Sequence, residues 1–275
     1  MLRDITLGQY YQADSVIHRL DPRVKLGTTI LFIISLFVFD GVGGYVTAAL
    51  FLALVIRLSG VPFRFMVKGM KSIVFLLSIT VIFNLFLTPG EPILHLWKLT
   101  VTQEGVRLAV LLSIRLGFLI IGSSVMTLTT TPNQLTDGLE KMLKPLNKVK
   151  VPVHEIAMMM SIALRFIPIL MEETDKIMKA QLARCADFES GNLVKKAKSL
   201  VPLLVPLFIS AFRRANDLAM AMEARCYRGG EHRTKMKPLH YERRDYIAYL
   251  VVLCYLAAGV FLGKFLPLLL GSVFA

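Results

Sequence analysis

Long apolar runs that are nearly free of charge restrict the fold of this chain more than any other feature. Residues 26–56 are apolar apart from Asp40. At about 1.5 Å per residue a single helix of that length would extend roughly 46 Å, whereas the hydrocarbon core of a bilayer is about 30 Å thick. Because three glycines follow within four residues of Asp40, we interpret this run as a tight hairpin of two spans. The five predicted spans are residues 24–39, 43–58, 72–87, 106–128 and 246–270.

The composition agrees with a membrane protein. Hydrophobic residues make up 55% of the 275 residues and the mean hydropathy is +0.61, which excludes disordered chains, collagen-like repeats and small disulfide scaffolds. The three cysteines (Cys185, Cys226 and Cys254) lack metal-ligand spacing, and we expect reduced thiols. We therefore predict an all-α membrane protein with about five transmembrane helices and a cytoplasmic lobe of long crossing amphipathic helices.

The positions of Lys and Arg indicate the orientation. Four of the 32 basic residues lie in the N-terminal arm (residues 1–25), four lie in residues 57–71 and twenty in residues 130–245. Since basic loops stay on the cytoplasmic side, we predict a multi-pass protein of the cell membrane whose N-terminus and residues 131–245 are cytoplasmic. The formal net charge of +13 is then accounted for by this orientation, and no nucleic-acid partner is expected.

The charged segment between the fourth and fifth spans is predicted to be a separate domain. The division is residues 1–130 for the N-terminal arm and four spans, residues 131–245 for the cytoplasmic domain, and residues 246–275 for the last span. Residues 131–245 contain twenty basic and thirteen acidic side chains, so they cannot all be embedded in lipid. Helix signals predict a short helix from Pro132, a second from about Pro152 to Arg184, and a third from about Leu193 to Cys226.

The second of these helices leaves the number of spans open. Residues 154–170 are apolar enough to suggest a sixth span, but Arg165 lies among them and Glu172 and Glu173 follow directly. A charge at the centre of a bilayer is costly, so we favour a helix that lies along the cytoplasmic membrane boundary.

The tripeptide Ala-Arg-Cys ends two of the predicted helices, at residues 183–185 and again at residues 224–226. One interpretation is ordinary: an arginine in a last turn complements the helix dipole. The other is a pair of docking tips, in which each guanidinium enters a groove on another protein and pairs bidentately with a carboxylate. Two such tips imply two partners, or one dimeric partner.

The sequence lacks the common catalytic motifs. It contains no phosphate-binding G-x-x-x-x-G-K-[ST] loop, no H-E-x-x-H, no C-x-x-C and no G-x-S-x-G element. We therefore expect no catalytic residue, no metal site and no cofactor in this chain. Two other functions stay under consideration: a membrane-embedded enzyme acting on an anionic lipid, and a self-contained secondary transporter, which would need repeated and broken spans.

Several motifs, taken in their order, resemble the transmembrane T component of energy-coupling factor (ECF) transporters, the CbiQ/EcfT-like family. This family belongs to the bacterial and archaeal vitamin and metal importers of the ABC type. The family usually has Gly after the arginine of each helix end, where this chain has Cys. The matching residues are Gly8-Gln9-Tyr10, Asp14-Ser15, residues 18–25 (His-Arg-Leu-Asp-Pro-Arg-Val-Lys), residues 129–132 (Thr-Thr-Thr-Pro), residues 163–168 (Ala-Leu-Arg-Phe-Ile-Pro) and the two Ala-Arg ends.

The resemblance implies a non-catalytic transport subunit that assembles with two ATPase subunits, of the A and A′ type, and one small substrate-binding membrane subunit, the S component. ATP and magnesium would be bound by the ATPases, and the S component would capture the vitamin or micronutrient and be interchangeable. By the same resemblance residues 131–245 are the cytoplasmic coupling domain, and the ATPase-coupling residues are Ala183, Arg184, Cys185, Ala224, Arg225 and Cys226.

Overall fold

The chain is helical over most of its length, which confirms the predicted all-α class. A computed structural model describes residues 10–39, 41–89, 92–96, 99–186, 188, 192–230 and 236–271; Gly8, Gln9 and Asp40, used above, lie outside these ranges. The helices are α1 (Pro22–Val38), α2 (Val42–Ser59), α3 (Phe63–Leu87), α4 (Gln103–Thr129), α5 (Pro132–Leu143), α6 (Val153–Ala183), α7 (Leu193–Ala224) and α8 (Arg243–Gly271), with a 3₁₀ helix at Lys144–Val149.

A short β-hairpin between α3 and α4 was not predicted from the sequence. Strands β1 (Pro92–Leu96) and β2 (Leu99–Thr102) pair antiparallel, with His95 opposite Thr100. The signal was the alternating Leu-Thr-Val-Thr of β2, which is typical of a strand. The hairpin leads directly into α4, because the Thr102 hydroxyl accepts the Gly105 N–H and caps the helix.

The helices fall into two compact units. One comprises Gly8–Gly138 and Leu239–Ala275, and within it α3 packs on α4, α2 on α8 and α1 on α4. Its core contains Phe32, Leu36 and Leu52, all buried. Large apolar side chains on the outer faces of the same helices are exposed, among them Phe37, Leu50 and Leu253, as expected for helices whose solvent is lipid.

Small residues let the helices of this unit approach closely. A Cβ at Gly122 of α4 would lie 2.5 Å from the Phe32 ring of α1. A Cβ at Gly259 of α8 would lie 2.1 Å from the ring of Phe39, which directly follows α1. Both distances are far below van der Waals contact, so each glycine makes room for an aromatic side chain.

The apolar runs correspond to helices, although their lengths differ from the predicted spans. Helix α3 begins at Phe63 rather than near residue 72, because Arg64, Lys68 and Lys71 favour helix even though they are not apolar. Within the described ranges, three helices are able by length and composition to cross a membrane: Gln103–Thr129, Val153–Ala183 and Arg243–Gly263. The second of these is α6, so a sixth span remains compatible with its composition.

The other unit, Leu139–Pro238, is dominated by α6 and α7. Both are long, at 31 and 32 residues, and both continue through internal prolines, Pro168 in α6 and Pro202 and Pro206 in α7. The first and last residues of both helices agree with the sequence prediction to within two residues.

Candidate docking site

Side-chain hydrogen bonds link helices α6 and α7, and their positions show that the two helices run in opposite directions. The Glu173 carboxylate of α6 accepts hydrogen bonds from the Ser210 hydroxyl and from the Arg214 guanidinium of α7, the latter at 2.9 Å. Eight residues further along α6, the Gln181 amide donates to the Pro202 carbonyl at 3.2 Å. Because the contact moves forward on α6 and backward on α7, the helices are antiparallel.

A proline explains the Gln181 contact. Inside a helix each carbonyl normally accepts the N–H of the residue four positions later. Pro206 has no N–H, so it cannot bond the Pro202 carbonyl in this way. The Gln181 amide of α6 supplies the missing donor, and a feature that weakens α7 internally therefore joins it to α6.

The start of α6 lies beside the residues that follow α7. His154 Nδ1 is 3.0 Å from the Glu140 carboxylate of α5. A Cβ at Gly230 would lie 2.3 Å from the His154 ring, so only glycine allows the chain to pass there. This contact agrees with the antiparallel arrangement and positions the C-terminal end of α7 near the N-terminal end of α6.

The end of α6 forms a Schellman motif around Arg184. The Ala186 N–H donates to the Gln181 carbonyl and the Cys185 N–H to the Leu182 carbonyl, both at 3.0 Å. This turn requires a left-handed residue, and Cys185 has φ of +64°. Arg184 is the last residue before that turn, with φ −91° and ψ 15°.

The end of α7 has the same backbone conformation. The Tyr227 N–H donates to the Met222 carbonyl at 3.0 Å and the Cys226 N–H to the Glu223 carbonyl at 2.8 Å. Cys226 has φ of +55° and Arg225 has φ −93° and ψ 14°. The repeated tripeptide therefore forms the same local structure twice, which the sequence alone did not specify.

The two helix ends present the same groups but lie apart. All six residues of the two Ala-Arg-Cys ends are exposed. Arg184 is one turn beyond Gln181, which contacts Pro202, and Arg225 ends the 202–225 part of α7. At about 1.5 Å per residue that part of α7 is roughly 35 Å long, so the two arginines lie at opposite ends of the antiparallel pair.

The N-terminal motif takes part in a hydrogen-bond network that joins distant parts of the chain. Asp21 caps α1 by accepting the Arg23 N–H, and its carboxylate pairs with the Arg23 guanidinium at 2.9 Å. The Asp245 carboxylate, at the start of α8, accepts the Asp21 N–H at 2.9 Å and the Glu242 N–H at 2.8 Å. Asp245 is buried, and sequence reasoning missed it, although an acid in the first turn of the last apolar run was its signal.

A buried lysine extends this hydrogen-bond network to α4. The Lys25 ammonium donates to the His18 carbonyl at 3.0 Å and to the Thr129 carbonyl at 2.9 Å. His18 is held in turn: its Nε2 donates to the Tyr11 carbonyl at 3.0 Å, and its Nδ1 accepts the Ser15 hydroxyl at 2.7 Å. The residues that carry the family resemblance at the N-terminus thus hold the arm on the ends of α1, α4 and α8.

Arg115 has a structural environment within α4. Its Nε donates to the Tyr45 hydroxyl of α2 at 3.0 Å, and its guanidinium lies 5.3 Å from the centre of the Phe37 ring of α1. A cation over an aromatic ring with one polar partner is a stable way to place an arginine in an apolar bundle. Over the described part of the chain, His, Cys, Asp and Glu side chains form no group of three that could hold a metal ion.

Known proteins match this chain over most of its length. The sequence profile of the CbiQ family, described as cobalt transport protein, matches residues 13–236. Relatives named energy-coupling factor transporter transmembrane protein EcfT come from several bacteria. The one from Clostridium kluyveri is 57% identical over 255 residues, which cover 92% of this chain and 94% of the relative. Those from Thermosediminibacter oceani and Bacillus subtilis are 53% and 47% identical, and cover 96% and 95% of this chain and 100% and 98% of their own lengths. The chain therefore belongs to the CbiQ family, together with these transmembrane proteins of energy-coupling factor transporters.

Proposed function

We propose that this chain is the non-catalytic scaffold of an ECF-type importer, which couples ATP hydrolysis by two partner ATPases to the uptake of a vitamin or other micronutrient. One observation supports this most strongly: two exposed arginines, Arg184 and Arg225, sit on helix ends of the same backbone conformation, at opposite ends of the antiparallel pair. A repeated surface of this kind suits two partners that resemble each other.

Each arginine docks in a groove of one ATPase. The planar guanidinium fork suits a carboxylate inside the groove. The small neighbours Ala183, Cys185, Ala224 and Cys226 leave room for the groove walls. The Schellman turn directs the chain away immediately after the arginine, so the helix end is narrow enough to enter.

The pairing of α6 and α7 passes the motion on. When the ATPases close and reopen, the two ends move relative to each other. Because Glu173 bonds both Ser210 and Arg214, and Gln181 bonds Pro202, the helices move as a pair rather than separately. The moving pair then acts on the S component, which captures the nutrient within the membrane.

Exposed apolar side chains of α6 and α7 are the proposed contacts for the S component. Met159 of α6 and Phe208 and Phe212 of α7 are large side chains that are more than half exposed. Methionine adapts to differently shaped partners, which suits S components that exchange on one scaffold. Competition between two S components for one reconstituted complex tests this point, and failure to exchange contradicts it.

The docking proposal is tested with the double variant Arg184→Glu/Arg225→Glu. Reversing a charge that faces a buried carboxylate removes a contact of about 2–5 kcal/mol, so we expect ATPase association to weaken by more than about tenfold and ATP-driven uptake to be lost. The matched control is Arg213→Glu, an exposed arginine in the middle of α7. Co-purification of the ATPases and uptake by proteoliposomes are measured together.

Two outcomes would contradict the proposal. Normal ATPase association in the double variant shows that the arginines are not the docking residues. Equal loss in the Arg213→Glu control shows that the effect is one of general charge rather than of the two helix ends.

A further inference from the structure

The 3₁₀ helix Lys144–Val149 presents an apolar row to its surroundings. A 3₁₀ helix has three residues per turn, so residues three apart lie above one another. Leu143, Leu146 and Val149 are spaced in this way, and their exposed fractions are 40%, 42% and 75%. We call these three residues the lysine-flanked row, for the reason given next.

Lysines surround this row and acids are absent from it. Lys144, Lys148 and Lys150 are exposed, and Lys141 precedes them in the last turn of α5. The sequence contains no acidic residue between Glu140 and Glu155. An apolar strip with cations on both sides is the pattern of segments that lie in the interface of a membrane containing anionic lipid.

Only a short length of chain separates this segment from the contact that α5 makes with α1. A Cβ at Gly138 of α5 would lie 3.0 Å from Pro22 and 3.3 Å from Leu26, so α5 is packed against the first turn of α1. The 3₁₀ helix begins six residues after Gly138, and six residues span at most about 20 Å even when fully extended. The 3₁₀ helix is therefore joined to the contact between α5 and α1 by at most about 20 Å of chain.

We propose that the 3₁₀ helix binds anionic phospholipids at the membrane surface. The lysine-flanked row enters the boundary between headgroups and acyl chains, while the ammonium groups of Lys144, Lys148 and Lys150 contact lipid phosphates. This contact holds the junction between α5 and α6 at the membrane surface, and it is independent of whether Arg184 and Arg225 dock ATPases.

The single tryptophan of the chain, Trp97, makes a direct test possible. The variant Trp97→Phe/Val149→Trp carries its only tryptophan on the lysine-flanked row. The full-length protein is reconstituted without partners into vesicles of phosphatidylcholine, with or without phosphatidylglycerol, that contain lipids brominated on their acyl chains. We expect the fluorescence to shift to the blue and to be quenched at least about twofold more when phosphatidylglycerol is present, and about 1 M salt to reduce this difference.

The matched control is Trp97→Phe/Met220→Trp, since Met220 is an exposed apolar side chain on α7 whose sequence neighbours are not lysines. Its quenching should not depend on phosphatidylglycerol. Replacing Lys144, Lys148 and Lys150 by Gln in the position-149 variant should remove the dependence.

A tryptophan at position 149 that stays in water in both kinds of vesicle would overturn the proposal. Shielding that develops only when ATPases are added would overturn it too, because the row would then be a protein contact. Quenching that is equal with and without phosphatidylglycerol would show burial without recognition of anionic lipid, and would reject the role of the lysines.

Discussion

Replacing Cys185 and Cys226 by Gly should stabilise both helix ends. These residues have φ of +64° and +55°, a conformation that costs an L-residue about 1–2 kcal/mol and glycine almost nothing. Glycine in turn gains about 0.5–1 kcal/mol of backbone freedom in the unfolded chain. The difference leaves a net stabilisation of about 0.5–1 kcal/mol at each end, or roughly a two- to fivefold change in the local opening equilibrium.

Hydrogen exchange measures this change where it occurs. The Ala186 and Tyr227 N–H groups close the two Schellman turns, so their exchange rates report how often each helix end opens. We expect both amides to exchange about two- to fivefold more slowly in Cys185→Gly/Cys226→Gly. Replacement by Val should have the opposite effect, because a β-branched side chain is strained at positive φ.

The third cysteine supplies the control. Cys254 lies inside α8, where glycine is less favourable than cysteine by about a few tenths of a kcal/mol, so Cys254→Gly should speed exchange locally. If glycine at positions 185 and 226 also speeds exchange, or has no effect, then the left-handed turns are not the source of strain. The family pattern of Gly after each Arg would then need another physical reason.

Two further predictions concern the membrane-spanning unit. Burial lowers the pKa of His18 below its usual 6.5, so the folded arm favours the neutral imidazole. The stabilisation that neutral His18 contributes is complete above pH 6.5 and falls as the pH drops from 6.5 through the lowered pKa. Protease cleavage of the arm should therefore increase on acidification, and His18→Gln should show no such dependence. Gly122→Val should force α4 away from the Phe32 ring and lower the free energy of unfolding by a few kcal/mol. Gly117→Val should be tolerated, because a Cβ added at Gly117 meets open space. Equal stability of the two valine variants in a thermal unfolding assay would contradict the close packing at Gly122.

Sequence patterns predicted the helices that are determined by residues close together in the chain. Long apolar runs gave α1, α2, α4 and α8, since only a helix satisfies its own backbone groups in lipid. Breaks at glycine and proline separated these helices from one another. The repeated tripeptide located the C-terminal end of α6 and the C-terminal end of α7. The predicted span 72–87 begins after the first residue of α3, Phe63, because hydropathy measures residence in lipid rather than helix formation.

Contacts between distant residues were beyond the sequence. The partner of Asp21 is Asp245, 224 positions away, and no local pattern connects them. The antiparallel pairing of α6 and α7 depends on Gln181 reaching a carbonyl freed by Pro206, which requires knowing how the two helices meet. The left-handed conformation of Cys185 and Cys226 was also hidden, because residues other than glycine seldom occupy it.

The bond between Asp21 and Asp245 orders events during synthesis. The N-terminal arm leaves the ribosome first, yet the carboxylate that accepts its backbone N–H belongs to a helix translated more than two hundred residues later. Until α8 has been made, the beginning of α1 lacks its partner in the folded protein. Completion of the bundle is therefore a late step that waits for the last helix.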